Sequence, residues 1–356
     1  MTAATPVLFD RFPRLASLPR IPLVTAPTRL ERASRLSGFT EREVWVKRED
    51  ATDASYGGNK VRKLQYLLGD AQAKQATTLL TTGALGSHHA LATAIHGGAR
   101  GFAVHAFLSP QPWTDHVEEN LRAHVAVGST LHRVPSAFLA LPAMEWEALK
   151  ERRARRRPYL IPHGGSNPVG AIGYVEAGLE LAAQLDAKEM PEPDAIYVAL
   201  GSGATAVGLA LGLAAGGVEI PIHAVLVTTR LIGHPRYLRR MMQGTLERLR
   251  AIEPRFPDIG PAAERMLRVE DAWVSVGYGV VTDEIERVTD LAAADAITLD
   301  PTYTAPTVAS LMSDAESGRF RRALYIHTLS SADLSPILAR GAEAPSWARS
   351  FAGAAR

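Results

Sequence analysis

Residues Trp45 to Leu68 read WVKREDATDASYGGNKVRKLQYLL, and Lys60 is the pivot of the stretch. It follows Tyr56-Gly57-Gly58-Asn59, a turn-forming run. It then opens a segment whose apolar residues Val61, Leu64, Leu67 and Leu68 fall at helical spacing. A lysine at a glycine-rich loop-to-helix junction sits where backbone can approach a ligand closely. The positive end of a helix lowers an amine's pKa and favours bound anions. Both effects suit a lysine that forms a Schiff base with a phosphate-bearing aldehyde. The same four residues also describe a solvated lysine at a helix start, and the stretch alone does not separate the two.

Outward from it, the pattern alternates. Glu43 to Lys47 (EVWVK) predicts a strand, 48–59 a loop and 60–74 a helix. Further strands are predicted at 77–83, 102–108, 130–134, 195–200, 222–227 and 323–327. Helices are predicted at 89–97, 117–126, 173–185, 206–215, 234–252 and 283–293. Residues 1–40 are proline-rich and read as an irregular surface wrap. Residues 157–173, dense in glycine and proline, read as a crossover between domains. Strands alternating with helices argue for an α/β fold with mostly parallel sheets.

The chain has 356 residues, enough for two domains, with 46% apolar and 21% charged residues. Its net charge of +2, from 39 basic and 37 acidic residues, leaves no electrostatic footprint for nucleic acid. The one basic run, Lys150 to Arg157 (KERRARRR), reads as a solvated helix end. No cysteine is present, which excludes disulfides, thiolate nucleophiles and Cys-based zinc sites. Neither a signal-peptide layout nor a membrane-spanning apolar run is visible, so a soluble cytoplasmic protein is expected.

Two further strand-to-helix junctions carry chemistry. After the strand ending at Leu200, Gly201-Ser202-Gly203-Ala204-Thr205 opens a helix. Its consecutive amides and two hydroxyls make a phosphate cup. No Lys-Ser/Thr pair follows, so this is not a Walker loop. A dinucleotide reading stays open, because Ala206 can take the third glycine's place, although no acidic residue ends a strand about 20 residues on. Gly83 to His89 (GALGSHH) is the other junction. Its amides suit a carboxylate, Ser87 offers a hydroxyl, and adjacent His88 and His89 point apart on a helix, which argues against a two-His metal site. Ser87 as a plain N-cap is the alternative.

Taken together, Lys47-Arg48-Glu49-Asp50 and Gly57-Gly58-Asn59-Lys60-x-Arg62-Lys63-Leu64 resemble the signature of the D-cysteine desulfhydrase and ACC (1-aminocyclopropane-1-carboxylate) deaminase family. These are tryptophan-synthase-β-like, fold type II enzymes that use pyridoxal 5'-phosphate (PLP). Further matches follow in order: Phe12-Pro13-Arg14, Gly164-Gly165-Ser166-Asn167-Pro168, Gly201-Ser202-Gly203, Gly277-Tyr278-Gly279, Leu299-Asp300-Pro301-x-Tyr303-Thr304 and His327-Thr328.

The resemblance implies a two-domain α/β architecture. A large PLP-binding domain is expected from 1–56 plus 173–356, and a small substrate-side domain from 57–172. It implies that Lys60 holds PLP as an internal aldimine and moves the α-proton. Lys63 then contacts the phosphate, as do Gly201, Ser202, Gly203, Ala204 and Thr205. Asn59, His88, Thr304 and Thr328 complete the cofactor site. Ser87, His88, His89, Ser166, Asn167 and Tyr303 are expected at the substrate, with Ser87, Tyr278 and Tyr303 alongside Lys60 in catalysis. No metal is expected. The partners implied are a small amino-acid substrate and a second copy of the chain, with no nucleic acid and no membrane.

The implied reaction is α,β-elimination giving a 2-oxo acid and ammonia. Thr304 stands where ACC deaminases carry glutamate, which places the chain on the D-cysteine desulfhydrase side. It departs from the family at His88 (asparagine, which holds the PLP phenolic oxygen), Ala204 (glycine), Ala305-Pro306 (Gly-Lys) and Leu329-Ser330 (Gly-Gly). These changes keep β-replacement, or a PLP-binding protein without turnover, open beside the lyase reading.

Overall fold

The computed structural model describes residues 5–277 and 280–353. Ten strands form two sheets among these residues. The larger has the order β1-β2-β10-β7-β8-β9: Leu30–Arg32, Glu43–Lys47, Arg322–Ile326, Ala195–Leu200, Ile222–Leu226 and Leu267–Glu270. Only β1 runs antiparallel to its neighbour. The smaller sheet is wholly parallel, in the order β5-β4-β3-β6: Thr130–Arg133, Ala103–Ser109, Thr78–Ala84 and Pro158–Ile161. It is inserted in the chain between β2 and β7. Every residue of β7 (AIYVAL) and β8 (IHAVL) is buried, as expected for central parallel strands covered on both faces.

Three differences from the sequence reading have local causes. First, residues 157–173, read from their glycines and prolines as a crossover, carry regular structure. They hold β6 and the start of a helix, Pro168–Asp186, that begins five residues early. Asn167 Oδ1 accepts from the Gly170 amide at 2.8 Å, and Pro168 at the first helical position loses no hydrogen bond there. Second, residues 1–40 contain β1 and short helical turns as well as extended wrap. Third, the helix Thr304–Glu316 gives little propensity signal, with Pro306 near its start and threonine and serine throughout. A side-chain cap just before the helix supplies what propensity lacks: the Asp300 carboxylate accepts from the amides of Thr302, Tyr303 and Thr304.

The helix Asn59–Ala73 packs against Pro168–Asp186 at very short range. A Cβ at Gly173 would lie 2.0 Å from the Arg62 carbonyl oxygen, so only glycine permits the approach. Beneath this contact lies a buried ion network. Arg62 makes two 2.6 Å bonds to Glu49 and one of 3.0 Å to Glu180, and Glu180 also accepts from Lys47 at 2.7 Å. Tyr174 and Thr28 donate to Glu49. With these lone pairs satisfied the buried charges are tolerable, and together they fix Asn59–Ala73 against the larger sheet.

Residues 152–157 of the basic run are exposed, as a solvated helix end requires. No helix among the described residues is long and apolar enough to cross a membrane.

Candidate active site

Strands of both sheets point their carboxyl ends at one cavity of about 510 Å³. β7 runs into Gly201–Gly203, β3 into Gly86–His89 and β10 into Thr328–Ser330, and each of these segments lines the cavity. Open α/β sheets bind ligands at this edge.

Lys60 occupies the wall between them, on the first turn of Asn59–Ala73. Gly58, at φ 85°, makes the turn that aims it, and no residue with a Cβ would fit, since the Thr328 carbonyl oxygen lies 3.0 Å away. The Lys60 ammonium donates to Asn59 Oδ1 at 2.8 Å and lies 5.9 Å from the centre of the Tyr303 ring. Burial pushes its amine down to about 8, while the Asp300 carboxylate pulls the other way. About a tenth of the amine is therefore neutral and nucleophilic at pH 7, far more than for an ordinary lysine.

At the cup, Gly203 caps the helix Ala204–Ala215 at φ 99°, and the first amide of that helix, at Ala204, donates to Ser166 Oγ at 3.3 Å. Thr205 Oγ1 accepts from Asn59 Nδ2 at 3.0 Å, which ties the cup to the lysine's neighbour. Lys63 reaches the same region. Its ammonium is buried, donates to the Gly164 carbonyl at 3.2 Å, and has no carboxylate in ion-pair range among the described residues. Burial, with Lys60 beside it, holds this amine well below its usual value.

Opposite the cup, Ser87 caps the helix His88–Gly98, accepting from the Ala90 amide at 3.3 Å, with its side chain at the cavity. The two histidines that follow do point apart. His88 Nδ1 lies 2.7 Å from the Tyr56 hydroxyl, and His89 Nε2 lies 3.1 Å from Thr81 Oγ1. Burial holds both imidazoles well below their usual pKa. Two neutral rings remain, each with its own polar partner.

Of the residues singled out in the sequence, Asn59, Lys60, Lys63, Ser87, His88, His89, Gly201, Ser202, Gly203, Thr205, Tyr303 and Thr328 line the cavity. Four do not. The Ser166 hydroxyl bonds Ser202 Oγ at 2.7 Å and accepts from the Ala204 amide, so both stand one layer behind the cup. Asn167 is occupied as a helix cap, and Thr304 donates to Asp300 at 2.7 Å. Tyr278 lies outside the described residues. Sequence reasoning passed over Tyr56, Gln111 and His116, which also line the cavity. The position of Tyr56 directly before the double glycine was the available signal. Gln111 sits in the loop after β4 and His116 in the first turn of the helix Asp115–Ala126, and no local pattern connects either with Lys60.

A two-sheet α/β protein with a half-buried lysine between a phosphate-type cup and a serine-bearing helix start is built as a cofactor-using enzyme. The chain matches the family model for pyridoxal-phosphate-dependent enzymes over residues 21–329, and it belongs to that family. It is 36% identical over 287 residues to nocardicin C-9' epimerase of Nocardia uniformis subsp. tsuyamanensis, covering 74% of this chain and 86% of that one. It is 33% identical over 323 residues to D-cysteine desulfhydrase of Salmonella paratyphi B, covering 88% and 94%. The crystal structure of an ACC deaminase homologue superposes with a TM-score of 0.79 at 28% identity, covering 95% of this chain and all of that one. The architecture is that of PLP fold type II.

The cavity suits the cofactor on its own chemistry. A buried lysine side chain with no carboxylate partner among the described residues, beside a glycine-capped helix start, is a donor set suited to an anion. A lysine in the same cavity whose amine is lowered to about 8 is the group an aldehyde requires.

Proposed function

We propose that this chain is a lyase acting on a small amino acid, removing the α-proton and expelling a β-substituent to give a 2-oxo acid and ammonia, as the name of its desulfhydrase relative describes. The observation that carries this reading is Lys60, with its amine brought to about 8 inside a cavity that also holds Ser87 and Tyr303.

In this reading Lys63, the amides opening Ala204–Ala215, Ser202 and Thr205 hold the phosphate. Asn59 steadies Lys60 through its 2.8 Å bond and the cup through Thr205. When bound, the cofactor supplies an aldehyde that captures amines and a ring that draws electrons from the substrate's α-carbon. Lys60 would hold the cofactor through its amine, and that amine, standing at the cavity wall, would be the base that takes the α-proton. The amides opening His88–Gly98 receive the substrate carboxylate, with Ser87 beside it. Thr328 offers only a hydroxyl toward the ring. A hydroxyl gives up no full proton, which weakens the ring as an electron sink and favours prompt loss of a leaving group.

A second reading is epimerisation, in which the proton returns to the opposite face of the α-carbon. It is favoured by the 36% identity to a protein named as an epimerase. One experiment separates the two. The holoenzyme is incubated in D2O with a panel of D- and L-amino acids that includes D-cysteine and β-chloroalanine. Keto acid and ammonia in proportion to consumed substrate support the lyase. Deuterium at the α-carbon with inversion and no keto acid would replace it by the epimerase. Loss of borohydride-fixable cofactor in Lys60→Ala checks the lysine assignment in either case.

A further inference from the structure

A second cluster of ligating side chains lies in the smaller sheet, away from the cavity. His105 is near the start of β4, whereas the cavity is reached only past that strand's end at Ser109. Along β4, Ala106 and Leu108 join the apolar cluster that includes Val117 and Leu121. Phe107 faces the other way, packing with Met144 and Ala148 of the helix Ala140–Arg153. By the strand's period of two, His105 shares the Phe107 side. His132 on the edge strand β5 opposes Phe107 in register and stacks on its ring at 4.4 Å and 6°. Glu147 comes down from Ala140–Arg153. His105 Nδ1 lies 3.0 Å from His132 Nε2 and 4.0 Å from Glu147 Oε1, and the ligand atoms of all three fall within 4.8 Å of one another.

We propose that His105, His132 and Glu147 form a binding site for a borderline divalent transition ion such as Zn²⁺, which ties β4 and the edge strand β5 to the helix above them. Two imidazoles on one tetrahedral zinc hold their nitrogens about 3.3 Å apart, given bonds of roughly 2.0–2.1 Å. The histidine pair stands close to that separation already. Glu147 has to close by about 0.7 Å toward His105 and by no more than about 1.5 Å toward His132 to match it. Its other oxygen is held only by Lys150, an exposed lysine at 2.9 Å, and such surface pairs yield readily. The nearby Glu151 is committed to Arg156 and Thr78, so the carboxylate free to turn inward is Glu147.

Without an ion, the short contact between the two rings places one ring's proton between their nitrogens. With an ion, each imidazole carries its single proton on the far nitrogen and presents a lone pair inward, and no proton is lost from either ring. Two nitrogens and one oxygen, leaving a fourth position for water, suit Zn²⁺, Co²⁺ or Ni²⁺. They do not suit Mg²⁺ or Ca²⁺, which take oxygen ligands.

The test uses the holoenzyme, freed of metal with a chelator and dialysed against graded Zn²⁺. One saturable equivalent per chain is expected at micromolar ion, with a rise in Tm. His132→Gln and Glu147→Gln are each expected to weaken uptake at least about tenfold, since loss of an outer partner alone costs about 10–100-fold in affinity. Co²⁺ provides a second readout through visible bands of a nitrogen-and-oxygen-ligated ion, which the variants lose. Glu147→Gln alters one half-buried helix position, so an unchanged cofactor absorption band certifies its fold. Equal uptake by wild type and both variants, or no saturable equivalent in the wild type, overturns the site.

Discussion

The hydroxyl of Tyr56 stands 2.7 Å from Nδ1 of His88 at the cavity wall. Burial raises the phenol's pKa, and burial with His116 nearby lowers that of the imidazole, so the bond joins two neutral groups. A protonated phenol donates to Nδ1, which fixes the ring proton on Nε2. His88 therefore has one N–H to offer, at the position where the family places asparagine. His88→Asn is expected to retain PLP and shift its absorption band. Tyr56→Phe frees the tautomer and is expected to shift that band too, while burial keeps the imidazole neutral. An unchanged spectrum in both variants would show that His88 does not touch the ring.

Lys60 gives a pH dependence of definite sign. Only the neutral amine attacks an aldehyde, and burial sets this one at about 8. The rate at which cofactor-stripped protein recaptures PLP should rise with pH and level off above about 8. Asp300 favours the charged form, so Asp300→Asn moves the plateau to lower pH, while its amide oxygen can still cap Thr304–Glu316. A plateau reached only near pH 10 would contradict the burial argument.

The ion network under Asn59–Ala73 governs stability. Arg62 and Glu49 have no exposed side-chain surface, and removing one partner strands the other. Arg62→Met is expected to cost about 3–5 kcal/mol in denaturant unfolding. Burial raises the Glu180 pKa, but Arg62 and then Lys47 reverse this, leaving it at about 2. Its contribution is complete above the ordinary carboxylate value of 4.5 and is lost as pH falls toward 2. Unfolding midpoints compared at pH 6 and pH 3 should therefore differ less in Glu180→Gln than in wild type.

Gly164 tests the cup from behind. It sits at φ 62°, and a Cβ there would lie 2.2 Å from Ser202 Oγ. Gly164→Ala pays the left-handed penalty of about 1–2 kcal/mol and pushes Ser202 toward the cavity. PLP retention on dialysis should fall while the protein remains folded by circular dichroism. Full retention would mean that Ser202 does not help to hold the phosphate.

Strands β2, β3, β4, β5, β7, β8 and β10 and the three glycine-bearing junctions were legible from local pattern, whereas the short strands β1, β6 and β9 were not. What escaped was set by single side chains acting as caps, and by partners far along the chain. Asp300 starts Thr304–Glu316 through its side chain, and propensity does not reveal a helix begun that way. Asn167 likewise starts a helix within the stretch read as a crossover. In the site, Lys60 was visible from its neighbours in sequence. The union of Tyr56 with His88, 32 residues on, needed coordinates. So did the placing of Ser166 behind the cup, since its hydroxyl meets Ser202 from 36 residues away.

The strand order carries a consequence for how the molecule is made. β2 meets the rest of the larger sheet only through β10, and Glu43 pairs with Arg322 across 279 residues. On the ribosome, the smaller sheet is complete once β6 has emerged, while β2 and β7 each still present a bare edge. Such edges recruit other strands, and contacts this far apart close slowly. The last strand made is thus the keystone of the larger sheet. A chain halted before residue 322 would keep a folded inner lobe and two open edges, the form most prone to aggregate and most in need of a chaperone.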